Sequence, residues 1–347
     1  MPMDTTFSPL LAAVQKNCNI ADALHAGDYT LCVYLLKMRE YFRWEKGYTF
    51  STPLPRADVG LWLKEREQLW EGLEHEAFAR LPINGDEHDP FDTHSLNDTL
   101  NPQGLVYSAG LGQYGRPHFF LARLERRQVE QDFTVLIAAE EFARDLAAPP
   151  AMTLGNTIFV RRESLRRMIW EKIEEWRWNQ LENPMGRAIA CYDFGADDDH
   201  ALARKTDAHI PTLLLHEDGE VMAGKLLGTG WEEMLAEMPR SRIELALRAL
   251  RDHLADSVST LPALLEADQP ANIHFFFATL TPMRKALAPE LLRAYDNWLK
   301  TQRLDALDDY LARAPAHWQA LAQRALQLHT EGATPDALQS LIDANPL

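Results

Sequence analysis

Apolar residues recur at helical spacing through the first eighty positions, at strand spacing in the middle of the chain, and at helical spacing again from about position 240. Leu31, Leu35, Met38 and Phe42 share one stripe, which predicts a helix from an Asp28 cap to Lys46, stopped by Gly47. Cys32 lies among Leu31, Val33 and Leu35 and is expected in the core. A second helix is expected over Asp58–Arg80, with Trp62, Leu69, Leu73 and Phe78 on its apolar side and Pro82 ending it. The acidic stretch Ile83–Gln103 reads as a long loop that includes one short helical turn.

Strand patterns follow. Leu105–Ala109 and His118–Leu124 flank a glycine-rich turn, and Phe133–Ala138 and Thr157–Val160 are further strands. Arg161–Gln180 has the spacing of a helix. Ala188–Phe194 reads as a strand, and Thr212–His216 with Glu220–Leu226 reads as a hairpin closed by Asp218-Gly219. Beyond about Arg240 only helical spacing remains, over Ile243–Leu254, Pro289–Lys300, Leu304–Ala312 and Trp318–His329. The fold class expected is therefore α+β. N-terminal helices pack with a largely antiparallel sheet, and an all-helical C-terminal domain follows. The composition shift near Met238-Pro239 sets the expected boundary. It divides an α+β body, residues 1–238 (helices 1–82, acidic loop 83–103, sheet and helix 104–238), from a helical domain, residues 239–347.

Composition narrows the functional classes. Of 347 residues 46 % are hydrophobic, enough for a sizeable core, and no apolar run reaches the roughly 20 residues of a membrane span. No basic cluster precedes an apolar stretch at the N-terminus, so no signal peptide is expected. Three cysteines, Cys18, Cys32 and Cys191, fit a reducing, cytoplasmic setting better than a disulfide framework. The net charge of −16 repels phosphate backbones and anionic membrane surfaces, so nucleic-acid and membrane partners are not expected. A protein or small-molecule partner is, and an oligomer stays open.

Four constellations carry candidate chemistry. Gly110-Leu-Gly112-Gln-Tyr-Gly115 matches G-x-G-x-x-G, but a strand follows it where a dinucleotide fold needs a helix. The strand–loop–strand context resembles the phosphate loop of protein kinases, and Asp193-Phe194-Gly195 resembles their metal-binding triplet. The kinase pattern then fails, with no lysine between Lys64 and Lys172 and no His-Arg-Asp loop. A phosphate-binding hairpin and a plain glycine-bearing hairpin remain. Cys18, Asp22 and His25 offer ligand types that suit zinc or iron, the leading cofactor candidates. On one continuous helix residues seven apart sit about 10 Å apart and cannot share an ion, so the alternative is packing and capping. Arg162 and Arg166, with Arg161 and Arg167, could make an anion site or a solvated helix face paired with acids. Asp197-Asp198-Asp199-His200 could hold a hard cation or form a solvated loop.

Zinc-protease, serine-hydrolase and Walker motifs are absent from the sequence. Two functions stay open. One is a non-catalytic binding or adaptor protein with a helical partner-docking domain. The other is a metal- or phosphate-ligand-dependent enzyme with its site between the N-terminal helices and the sheet.

Overall fold

Leu10, Val14, Cys18 and Ala21 recur at helical spacing, and in the computed structural model they form the buried face of helix α1 (Phe7–His25). The structure describes residues 7–112, 115–130, 133–195, 197–238 and 241–347. The chain divides into two compact units, Met1–Asn179 with Asp193–Asp207, and Gln180–Tyr192 with Ala208–Leu347. The expected boundary is at Met238-Pro239; Pro239, with Arg240, lies outside the described residues. No helix among the described residues is long and apolar enough to cross a membrane.

In the first unit, α2 (Leu31–Glu45) and α3 (Arg56–Glu71) follow α1. The region expected as a long loop with one helical turn contains the unexpected hairpin β1 (Leu81–Ile83) and β2 (Asp86–His88), then a two-turn helix, α4 (Thr93–Leu100). Asn84 and Gly85 both have positive φ, as a two-residue hairpin turn requires, and Asn-Gly is the preferred pair there. Asp92 starts α4 by accepting a hydrogen bond from the Ser95 amide.

The main sheet comprises β3 (Leu105–Leu111), β4 (Pro117–Val129), β5 (Thr134–Arg144), β6 (Ala151–Leu154) and β7 (Thr157–Arg161), in the order β3-β4-β5-β7-β6. All pairings are antiparallel except β5 with β7. Register shifts between Leu121 and Arg126 mark bulges that bend β4. Phe119 and Leu121 join the core under α1, while Phe120 and Ala122 join Leu136, Ala138 and Phe159 on the opposite face. With both faces covered, the strand reads as a continuous apolar run. Helix α5 (Arg162–Asn179) follows β7 and buries Leu165, Ile169, Trp170 and Ile173.

Two expected strand regions are helical. Asn183 caps the Gly186 amide, Pro184 opens α6 (Pro184–Ala190), and the segment expected as strand 188–194 is the end of this helix and a turn. The expected Asp218-Gly219 hairpin lies inside the thirty-residue α7 (Asp198–Leu227). Gly219 serves packing there, not turning. A Cβ on it would lie 2.5 Å from the Ala255 carbonyl oxygen.

Among its described residues the second unit has only helices and their connections. Its further elements are α8 (Thr229–Glu237), α9 (Arg242–Ala255), a π-helical turn (Asp256–Thr260), α10 (Leu261–Ala267), α11 (Pro270–Thr279), α12 (Pro282–Leu287), α13 (Pro289–Thr301), α14 (Asp305–Leu311), α15 (Ala314–Thr330) and α16 (Pro335–Asp343). Proline stands in the first turn of α10, α11, α12, α13, α15 and α16, where its missing N–H costs no helical bond. One core runs through them and includes Trp231, Leu250, Phe277, Tyr295, Trp318 and Ile342.

Candidate functional site

Helix α1 carries Cys18 and Asp22 one turn apart, and both are buried toward the sheet. The Cys18 thiol donates to the Phe119 carbonyl at 3.3 Å, and burial, reinforced by Asp145 and Asp22, pushes its pKa well above the usual thiol range. Asp22 accepts the Leu146 amide at 2.8 Å through Oδ1 and has no partner at Oδ2. Burial and the neighbouring Asp145 raise its pKa, so the carboxyl is driven toward its neutral form. His25, at the end of α1, contacts Asp28 at 3.2 Å. Cys18 and Asp22 thus share one face, while His25 is engaged with Asp28 in the turn beyond the helix. Cys32 corrects the expectation of a core position, since it is exposed on the first turn of α2 beside exposed Leu31, Val33 and Leu35. The helix begins only at Leu31, and its buried residues begin at Met38.

The glycine-rich segment forms the β3–β4 connection. Gly110 pairs with His118 across the strands, and a Cβ there would lie 3.2 Å from the imidazole, so the missing side chain seats the ring. His118 is buried, which lowers its pKa to about 4 and keeps it neutral at physiological pH. The Gly112 amide donates to the Arg116 carbonyl at 2.8 Å, and Gly115 takes a positive φ of 65°. Gln113 and Tyr114 lie outside the described residues.

The arginines meet carboxylates. Arg162 grips Glu125 with two bonds of 2.8 Å and also pairs with Asp207. Arg166 contacts the Asp199 carbonyl at 3.2 Å, and Arg161 makes a fully buried bidentate pair with Glu141. Asp197 caps the start of α7 through the His200 amide, Asp198 pairs with Arg177, and Asp199 accepts the Phe50 amide.

A denser constellation lies in the second unit. Successive turns of α7 present His216 and Glu220, and α9 presents Asp252, one turn before Asp256 at the head of the π-helical turn. The close approach of Gly219 to Ala255 brings these two helices together at this level. His216 Nδ1 lies 2.8 Å from Asp256, whose other oxygen binds Arg284. His216 Nε2 is 3.6 Å from Glu220. One ligand atom each from His216, Glu220 and Asp252 lie within 4.8 Å of one another, a group of metal-binding composition. Atoms about 2.1 Å from a common ion stand roughly 3–4 Å apart, so modest side-chain rotation closes the set.

Charge here is tightly balanced. Burial by itself disfavours charge on both Asp256 and His216. Arg284 and His216 nonetheless hold Asp256 far below the carboxylate range, and Asp256 with Glu220 and Asp252 lifts His216 to about 10. Arg251 contacts Glu220 at 3.0 Å through Nη2, Glu232 at 3.2 Å through Nη1, and Asp252 at 3.9 Å; its buried Nε has no partner. His253 lies next to the ligand set but faces away, stacked on Trp318 and bonded to the Arg284 carbonyl at 2.9 Å. Burial lowers its pKa to about 4. The sequence contains both i,i+4 pairs, His216 with Glu220 and Asp252 with Asp256. They become visible as shared faces only when residues 212–226 are read as helix.

Residues 9–161 match the N-terminal domain, and residues 166–345 the C-terminal domain, of a family of unknown function (DUF6866). The chain belongs to this family. No curated protein and no solved structure matches it. Within this DUF6866 chain, Cys18, Asp22 and Gly110 fall in the N-terminal match, and His216, Glu220, Asp252 and Arg251 in the C-terminal one.

Proposed function

We propose that this DUF6866 protein depends on a divalent metal ion held in its helical unit by His216 Nε2, Glu220 and Asp252. The carrying observation is the 2.8 Å contact between His216 Nδ1 and Asp256. A carboxylate on one imidazole nitrogen fixes the ring and leaves the other nitrogen for a metal, the usual outer-shell support of a ligating histidine. One imidazole and two carboxylates suit Zn²⁺, Fe²⁺ or Mn²⁺. Three protein ligands leave open positions, so the ion can polarise a substrate oxygen or acidify a bound water. Without an ion, the His216 proton and Arg251 supply the positive charge that the carboxylates demand.

The test is metal content. Untagged full-length chain is dialysed against Mn²⁺, Zn²⁺ or anaerobic Fe²⁺ and analysed by mass spectrometry of the elements. About one tightly held ion per chain is expected, and His216→Ala and Asp252→Asn should both lose it. Absence of a stoichiometric ion in the wild type, or full content in both variants, overturns the reading.

A second reading, a partner-binding protein, draws on the exposed apolar first turn of α2, where Leu31 is 71 % and Leu35 46 % exposed. Loss of a co-purifying protein on replacing both leucines with serine would support it. An unchanged pull-down would remove it.

A further inference from the structure

We infer that the substrate or co-ligand of the helical-unit site carries an oxyanion, a phosphate or a carboxylate, bound side-on by Arg251 and bridging to the metal. The inference rests on the metal reading above and names what the ion would act on.

The argument begins with the guanidinium. Its Nη1 is committed to Glu232 at 3.2 Å, and its Nη2 lies 3.0 Å from Glu220 and 3.9 Å from Asp252. Nε, beside Nη2 on the same edge of the plane, is buried without a partner. Arginine presents that edge as two parallel donors, the geometry that matches two oxygens of one carboxylate or phosphate. The edge is half used in the present arrangement, with one donor on Glu220 and one unmet.

Metal binding changes this. An ion held by Glu220 and Asp252 draws the Glu220 carboxylate away from Nη2 and places a second positive centre beside the guanidinium. Nη2 then joins Nε as a donor without a partner, and the two parallel N–H groups of this edge are left for one ligand. An oxyanion satisfies both donors. One oxygen enters an open metal position, and its other oxygens receive the Nε and Nη2 hydrogens. Asp256 is neutralised by Arg284 and accepts the His216 Nδ1 hydrogen, and Arg284 is thereby occupied and does not compete for the incoming ligand. A substrate without a pair of acceptor oxygens would leave the Nε–Nη2 edge unmet.

The probes are inorganic phosphate and acetate on the full-length Mn²⁺ protein. Binding is read from the paramagnetic relaxation of the ³¹P or ¹³C carboxyl signal, and Mn²⁺ uptake is measured separately by equilibrium dialysis. One of the two anions should relax strongly in the presence of protein-bound Mn²⁺, and EDTA should abolish the effect. By linkage that anion should also tighten Mn²⁺ binding by the same factor that Mn²⁺ tightens anion binding. Arg251→Gln should retain Mn²⁺ while losing anion affinity by roughly tenfold or more, and Arg251→Lys, charged but without the fork, should fall between. Phosphate alone points to a phosphoester-class substrate, acetate alone to a carboxylate. Uptake of Mn²⁺ with no response from either anion overturns this inference and leaves the metal reading standing. Equal anion binding in the wild type and Arg251→Gln also overturns it, as does anion binding that survives EDTA. Failure to take up Mn²⁺ overturns the metal reading and this inference with it. If Arg251→Gln does not fold, the anion-dependent change in Mn²⁺ affinity of the wild type decides the matter.

Discussion

Gly219 on α7 stands so close to Ala255 on α9 that a β-carbon added to it would lie 2.5 Å from the Ala255 carbonyl oxygen and 2.9 Å from its carbon. Those atoms are backbone, so no rotamer change relieves the clash, and α7 and α9 must separate. Overpacking of this kind costs about 1–3 kcal/mol. Gly219→Ala is therefore expected to destabilise the protein by that amount in urea melts. It should also weaken metal retention, because His216 and Glu220 on α7 would move from Asp252 on α9. A variant with wild-type stability and wild-type metal content would show that the approach is looser than described.

Two histidines of the helical unit, His253 and His216, give its stability opposite pH limbs. His253 titrates at about 4 in the fold against 6.5 for the ordinary imidazole, because burial disfavours its charged form. Its contribution is full above pH 6.5 and is lost as pH falls through 4. At about 1.4 kcal/mol per pH unit the interval is worth up to roughly 3 kcal/mol. His216 is shifted upward to about 10 by Asp256 and its neighbours, against its burial. Its contribution is full below pH 6.5 and is lost as pH rises through 10. Urea melts of metal-free wild type from pH 4 to 10 should show both limbs. His253→Gln should flatten the acid limb and His216→Gln the alkaline one. A difference between wild type and either variant that does not change with pH would contradict the assignment.

The sequence was legible where one periodicity dominated. The helix over 161–180, the β3 and β4 strands, and the helical character after 240 all rest on runs whose apolar spacing matches their burial. It misled where a residue's local preference and its tertiary use diverge. Asp218-Gly219 is a strong turn signal, yet the glycine is there to admit a neighbouring backbone, so a hairpin was expected inside a helix. That one misreading hid the candidate site, since His216 and Glu220 face the same way on a helix and lie in separate strands of a hairpin. The Asn84-Gly85 turn follows the same rule, but its flanking strands are only three residues long and carry too short an alternation to show in the sequence. Arg251 could not have been found at all, because its significance lies in the contacts of its individual nitrogens.

Thiol chemistry checks the N-terminal helices. Cys32 and Cys191 are exposed, and Cys18 is fully buried with its pKa raised. Reactivity follows thiolate fraction and access. In native protein two thiols should react promptly with a disulfide reagent and the third only on unfolding. Cys32→Ala should change stability by less than about 0.5 kcal/mol, as for other surface substitutions. Cys18→Ala removes a sulfur from the core beneath α1 and should cost on the order of 1–2 kcal/mol. Three fast thiols, or a large cost at Cys32, would contradict this placement.

Asp22 is a buried carboxyl whose neutral form the fold prefers. Burial is the main cause, Asp145 adds to it, and the Leu146 amide, Arg144 and Arg66 oppose it without prevailing. A carboxyl with its folded pKa raised contributes stability that is complete below its ordinary value of 3.8 and is lost as pH rises through the folded value. Asp22→Asn keeps an oxygen for the Leu146 amide and cannot ionise. The variant should match the wild type near pH 4 and become progressively more stable relative to it as pH rises toward 8. Asp22→Ala behaves differently. It strands the Leu146 amide, a buried donor whose loss of partner costs about 1–3 kcal/mol at every pH. Parallel urea melts of the three proteins at pH 4, 6 and 8 separate these effects. If Asp22→Asn is as damaging as Asp22→Ala at pH 8, the side chain is ionised in the fold and its charge stabilises Arg144 or Arg66.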